Sequence, residues 1–309
     1  MSPPDAQAAS TATGRPRPRV ATAPVNWINS DLDGWSSPLS PETMLDEMVA
    51  AGYDATEFGD VFPPEATALR QLLAARSMDL CGVFYPLPLN DEQAMEPAML
   101  ALADLTQLFA TIGCRDLNLA IAATPERLAL AGHVPDDGSA ALTANAWRQV
   151  GDHLQRAAGL TASYGVRAHF HNHVGTHVET PAEIAQLLEI LDPRLIDLCY
   201  DCGHHAYGGG DPLPFVSHYA DRIGYVHLKD VDPVVLASSR RRGLSFHEAL
   251  KEFVFCEFGR GLVDIPAIVA TLIDRGYQGW LVVEQDTTPN SPTASARANR
   301  QFLLDHCSL

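Results

Sequence analysis

Arg167-Ala-His-Phe-His-Asn-His-Val174 is the stretch on which the fold turns. As a β-strand it alternates between two faces, with Arg167, His169, His171 and His173 on one and Val166, Ala168, Phe170 and Val174 on the other. One face made for chemistry and one for packing is what an inward-facing strand of an α/β barrel requires. The chain has twelve histidines, and eight of them fall between His169 and His227. A single buried histidine is ordinarily structural. Three in alternation point to a polar, metal-binding site.

Outward from that stretch, strand and helix patterns alternate. Strands are expected over residues 20–27, 53–58, 80–85, 117–121, 196–201, 223–229 and 280–284, with the histidine stretch fifth of the eight. Ser40-Pro41-Glu42 and Thr180-Pro181-Ala182-Glu183 are cap-Pro-acid helix starts, the second with the spacing of a capping box. Further helices are expected over 64–76, 92–112, 143–164, 246–253 and 264–275, with a short one opening at Asp211-Pro212 and a last one before Leu309. Residues 122–142 hold Gly, Pro and Asp and are expected as a loop over the barrel mouth, and 230–262 as a long connection. Eight alternations favour a closed (β/α)8 barrel, a TIM barrel, over a doubly wound sheet. The expected domain spans 20–309, behind a disordered extension over 1–19 rich in Pro, Ala, Ser and Thr.

The 309 residues suffice for one such barrel, which needs about 250. At 46% hydrophobic and 19% charged residues a large core is available. A net charge of −17 argues against a nucleic-acid footprint and against attraction to anionic lipid. No apolar run reaches the roughly 18 residues of a membrane span, and the start lacks the apolar core of a signal peptide. Arg240-Arg241-Arg242, the one basic cluster, is expected in a solvated loop. Cys199 and Cys202 form a lone C-x-x-C, a weak zinc or redox signal. With Cys199 buried on a strand, reduced thiols in a cytoplasm are the expectation.

Four polar signals fall at strand C-terminal ends, where barrel enzymes carry their sites. They are the histidine stretch, Tyr-Asp201-Cys-Gly-His204-His, His227-Leu-Lys229-Asp230 and Leu-Val-Val-Glu284-Gln-Asp. Turning Asp201, His227 and Glu284 inward sends their apolar neighbours outward in each strand, so all three converge with His171 on one axial point. Imidazole nitrogen with carboxylate oxygen suits a divalent transition metal.

These strings resemble the xylose-isomerase-like barrel superfamily of sugar isomerases, epimerases and dehydratases. Within it the inosose dehydratase branch is the nearest. Trp27-Ile-Asn-Ser-Asp, Thr56-Glu-Phe-Gly, His171-Asn-His-Val-Gly-Thr, Gly208-Gly-Gly-Asp-Pro and Gly279-Trp-Leu-Val-Val-Glu carry the resemblance over about residues 20–305. It implies metal ligands at Asp201, His227 and Glu284. At the fifth strand most epimerase-type relatives place a glutamate where this chain has His171, and a histidine run there points to the dehydratases. Direct ligation by His171 and ligation through water both stay open. Asp-Cys-Gly-His in place of the usual Asp-Thr-Gly-His is a mild departure.

The implied activity is metal-dependent elimination of water from a keto-cyclitol such as 2-keto-myo-inositol, in inositol catabolism. Mn²⁺ or Co²⁺ is expected ahead of Zn²⁺, Fe²⁺ or Mg²⁺. A metal on the carbonyl oxygen stabilises an enolate while a base and an acid handle the two protons. Lys229 is a candidate base or enolate partner, with its pKa lowered near a metal. His204 and His173 are candidate acids, and Glu57 could take the proton or bind hydroxyls. Trp27, Asn29, His169 and Asp230 are expected against the polyol substrate, Trp27 with a core role as the alternative. A sugar or keto-sugar isomerase or epimerase is the runner-up, and a non-catalytic sugar-binding barrel is a third reading. Barrels of this family often associate, so a homo-oligomer is an expectation from resemblance.

Overall fold

A computed structural model describes residues 17–30, 32, 34–35 and 38–309; nearly all of the extension expected over 1–19, and Asp31, lie outside the described residues. The strands are β1 (Arg19–Thr22), β2 (Ala55–Glu57), β3 (Asp79–Gly82), β4 (Phe84–Leu87), β5 (Asp116–Ile121), β6 (Arg167–His171), β7 (Ile196–Asp201) and β8 (Ile223–Leu228). A small antiparallel pair, β9 (Asp230–Val231) with β10 (Phe255–Cys256), precedes β11 (Trp280–Val283). The main sheet runs β3-β2-β1-β11-β8-β7-β6-β5-β4, and its pairings are parallel. Only Val83 separates β3 from β4. The first pairs with β2 and the second with β5, so one interrupted strand closes an eight-membered ring. The fold is a TIM barrel.

Alternation then sorts the side chains. Outward positions such as Phe170, Leu198, Val226 and Leu281 join the main core between ring and helices. The lumen is plugged at one level by Ala21, Ala55, Cys81, Cys199, Tyr225 and Val282, the alanines leaving room for the Tyr225 ring. Helix starts follow the caps read in the sequence. Ser40 Oγ accepts from Thr43 N–H, and Thr180 with Glu183 forms a reciprocal capping box.

Several boundaries differ from expectation, each for a local reason. β1 ends at Thr22, because Pro24 has no N–H for a ladder and opens a 3-10 turn, Pro24–Asn26. β6 stops at His171, so His173 belongs to the following loop. The expected loop over 122–142 contains a helix, Pro125–Leu130, capped by Thr124. The connection over 230–262 carries a further helix, Pro233–Arg242. Its last turn is the arginine cluster expected in a loop, where positive charge meets the negative end of the helix dipole; Arg240 also donates to the Tyr207 carbonyl at 2.7 Å. The six cysteines are all free. No helix among the described residues is long and apolar enough to cross a membrane.

The Pro125–Leu130 helix is tied to the loop after β6 by a buried ion cluster. Arg127 meets both Glu183 oxygens, at 2.7 and 3.0 Å, and lies 3.9 Å from Glu179. Glu179 in turn accepts from Gly132 N–H and Gly175 N–H, each at 2.7 Å. Burial pushes the Glu179 carboxyl up to about 7, against the pull of those donors and of Arg127. A carboxyl that holds its proton more tightly folded than unfolded makes stability fall as pH rises from its ordinary value through about 7, with no further change above. Across that interval the wild type should lose about 3 kcal/mol relative to Glu179→Gln. Denaturant melts at a series of pH values check this, and parallel pH curves for the two proteins would refute it.

Candidate active site

The polar layer sits directly above the lumen plug, at the C-terminal ends of the strands. One donor atom each from His171, Asp201, His227 and Glu284 lies within 4.8 Å of the others, and all four residues are buried. His171 Nε2 is 3.0 Å from His227 Nδ1, which is 3.1 Å from Glu284 Oε2. Asp201 Oδ2 lies 3.6 Å from His171 Nε2 and 3.9 Å from His227 Nδ1. It has no hydrogen-bond partner among the described residues. Asp201 is itself held firmly. Its Oδ1 accepts from His204 N–H at 2.7 Å, and the Asn172 amide grips its backbone N–H and carbonyl.

Glu57 decides how His227 is oriented. Its Oε1 lies 2.9 Å from each of Asn118 Nδ2, the Tyr225 hydroxyl and His227 Nε2. A carboxylate only accepts, so His227 gives it the Nε2 proton and turns the Nδ1 lone pair toward Glu284. Acceptor then faces acceptor at 3.1 Å. Such a contact requires a positive charge between or upon the groups, a bound cation or a second proton. Burial works against that proton, while the carboxylates of Glu284 and Glu57 favour it and raise the His227 pKa. Burial pushes the His171 pKa down and opposes charge on Glu284, which His227 and Lys229 nevertheless keep ionised. Two imidazoles and two ionised carboxylates in a buried layer fit a divalent transition metal.

A cavity of about 510 Å³ opens above this layer, within the usual size range of small-molecule sites. His171, His173, His204, His227, Lys229 and Glu284 reach its wall, as do Asn29, Glu57 and Asp286. A larger hollow of about 740 Å³ lies at the opposite mouth, around Arg70 and Arg115, away from the histidines. Lys229 Nζ is 2.7 Å from Asp286 Oδ1, 3.2 Å from Glu284 Oε2 and 3.6 Å from Asp201 Oδ2. Burial would lower its pKa, but these three carboxylates raise it instead, which favours the ammonium; of the roles read from the sequence, base or enolate partner, the charged form suits the second. Gly203 makes the packing around it feasible, since a Cβ there would lie 2.5 Å from Lys229 Cβ.

Two histidine rings lie close together beside the lysine, His173 and His204, tilted by 36° with centroids 3.8 Å apart. His173 Nδ1 donates to the Val174 carbonyl at 2.6 Å, which makes its Nε2 the acceptor nitrogen. His204 faces two donors, the Lys229 ammonium at Nε2, 3.2 Å away, and Val174 N–H at Nδ1, 3.4 Å away; a neutral imidazole accepts at one nitrogen, and the shorter, charge-assisted contact makes Nε2 the acceptor. Burial, then His173 and Lys229, depress the His204 pKa well below its usual range, so the ring is neutral.

Three residues expected against substrate are placed elsewhere. His169 lies one inward position below His171, bonded to Asp116 at 2.9 Å in a slot where Gly224 leaves no room for a Cβ. Asp230 accepts from the N–H groups of Val231, Gly259, Gly261 and Val263, and so anchors the loop after β10. Trp27 donates to Glu47 at 2.8 Å and packs in the core. None of the three lines the cavity. Asn29 does, and donates to the Asp286 carbonyl at 3.3 Å. Asp286 went unrecognised in the sequence although alternation from Glu284 points it the same way. Asn118 and Asn172 carried no comparable signal.

A family model described as the xylose isomerase-like TIM barrel matches residues 45–306. The chain belongs to that family. Among curated members, an inosose dehydratase of Geobacillus kaustophilus is 33% identical, covering 92% of this chain and 93% of its own. A rhizopine catabolism protein, MocC, of Rhizobium meliloti is 34% identical, over 92% and 87% of the two chains. Among solved structures, the IOLI protein with a bound zinc atom superposes with a TM-score of 0.70 at 14% identity, over 94% of this chain and 98% of that one.

If the four-residue layer holds a cation in this family member, Glu57→Gln should weaken its uptake by about 10–100-fold through loss of charge behind His227. Mn²⁺ titration followed by electron paramagnetic resonance measures this. Equal affinities in the two proteins would leave Glu57 without that orienting role.

Proposed function

We propose that this barrel removes water from a keto-cyclitol of the inosose type, with a divalent cation, Mn²⁺ or Co²⁺, held by His171, Asp201, His227 and Glu284. The observation that carries the reading is the acceptor-to-acceptor contact between His227 Nδ1 and Glu284 Oε2 in a buried layer, open on one side to a polyol-sized cavity. The inosose dehydratase relatives, aligned over nearly the whole chain, supply the substrate class.

A divalent cation bound there supplies Lewis-acid polarisation of the substrate carbonyl, which acidifies the neighbouring C–H. The chain's own groups handle the protons. His173 Nε2, as acceptor nitrogen, takes the proton from that carbon. The Lys229 ammonium, which donates to His204 Nε2 at 3.2 Å, is the proton donor of this wall. Lys229 gives a proton to the departing β-hydroxyl as the C–O bond breaks, and His204 Nε2 holds the ammonium in place for that transfer. The proton is removed and the hydroxyl protonated from one wall, which favours syn elimination. Asn29 and Asp286 border the ring hydroxyls. Glu57 acts through His227 and not on the substrate, because its Oε1 is already shared by three groups.

Metal-reconstituted protein incubated with 2-keto-myo-inositol should yield a product lighter by one water, detected by mass spectrometry together with a rise in ultraviolet absorbance. Chelator and Glu284→Gln should each abolish it, and His173→Gln should lower kcat by about 10²–10⁴-fold. A product of unchanged mass would replace the dehydratase reading with an epimerase or isomerase on the same site.

A further inference from the structure

The floor of the centre carries a donor that the four-residue set leaves out. Cys199 stands opposite His171 in the β6–β7 ladder, two residues before Asp201 and on the same inward face of β7. It is fully buried within the lumen plug. One donor atom each from His171, Cys199 and His227 lies within 4.8 Å of the others. The thiol also makes a side-chain contact with the His227 ring. Neighbouring thiols are engaged differently. Cys202 donates to the carbonyls of His227 and Lys229, Cys114 to that of Asp116, and Cys81 sits beside the Tyr225 hydroxyl.

The two donor sets differ in chemistry. Above, two imidazoles and two carboxylates offer a charge of −2 and hard oxygen atoms. Below, two imidazoles and a thiolate offer −1 and a soft sulfur. Soft donors select thiophilic cations, whereas carboxylate-rich sets suit Mn²⁺ and its like. Because both sets use His171 and His227, two cations cannot be held in them at once.

We propose that the centre contains two overlapping seats, the upper one of four residues and a lower one of His171, Cys199 and His227 that takes a thiophilic divalent cation such as Cd²⁺ or Zn²⁺. The inference rests on reading the upper four residues as a cation site. Entry into the lower seat forms a metal–sulfur bond, breaks the Cys199 S–H bond and releases that proton to solvent. Held there, the cation shares the same two histidines and so excludes Mn²⁺ from the seat that faces the cavity.

The test titrates Cd²⁺ into the metal-stripped full chain and reads the thiolate-to-cadmium charge-transfer absorption. The wild type should gain a saturable band with its first equivalent of Cd²⁺, and in a parallel titration of the Mn²⁺-loaded full chain Mn²⁺ should be released in step, as followed by electron paramagnetic resonance. Cys199→Ser should lose that band, while Glu284→Gln should keep it. Cys199→Ala, with far-ultraviolet circular dichroism as a folding control, guards against a misfolded serine variant. The same band in the wild type and in both cysteine variants, or no band at all, would overturn the lower seat. Mn²⁺ binding to the cysteine variants reports on the upper four residues alone, so failure of either seat is seen separately.

Discussion

The arrangement around His227 depends on one hydrogen bond at its far side. Glu57 Oε1 takes the Nε2 proton at 2.9 Å and thereby commits Nδ1 to the centre, where it meets Glu284 and His171. A carboxylate as deep in the ring as that of Glu284 needs positive charge close by, and Lys229, 3.2 Å away, supplies it. The acidity of the layer, the charge of the lysine and the affinity proposed for a cation are therefore parts of one electrostatic unit. Altering any member leaves a buried charge without its partner.

The barrel contributes the geometry that makes this unit feasible. Strand alternation places small residues at the level of the plug and long polar ones a layer above, so that charged groups stand on a dry floor instead of in water. Interactions among them are stronger there than at a surface. The helix Pro125–Leu130, pinned through Arg127, Glu183 and Glu179, ties the barrel rim to the loop that carries His173. His173 is thus placed by a second ion cluster that has no part in the lumen, whereas His204 is held by Asp201.

Lys229 illustrates how position changes a residue's chemistry. A lysine beside a metal can have a depressed pKa, which would make it a base. In this ring it is surrounded by Asp286, Glu284 and Asp201, and it is held as an ammonium. Asp286 adopts a left-handed backbone, φ +47°, a conformation that aspartate tolerates better than most residues and that brings its carboxylate back over the lysine.

The sequence by itself determined the ring and the members of its upper layer. A period of two along each strand separates His171, Asp201, His227 and Glu284 from the apolar residues beside them, and a strand's backbone permits no other division. Which layer an inward residue occupies is another matter. His169 satisfied the same alternation as His171 yet lies a level lower against Asp116, because depth along the axis follows from strand stagger, which periodicity does not encode. The proton positions of His173 and His204, the charge of Lys229, and the anchoring work of Asp230 and Glu57 were decided only by the tertiary structure. Each of these depends on atoms brought within about 3 Å by separate elements, and hydrogen bonds at that range are set by folding in three dimensions rather than by order along the chain.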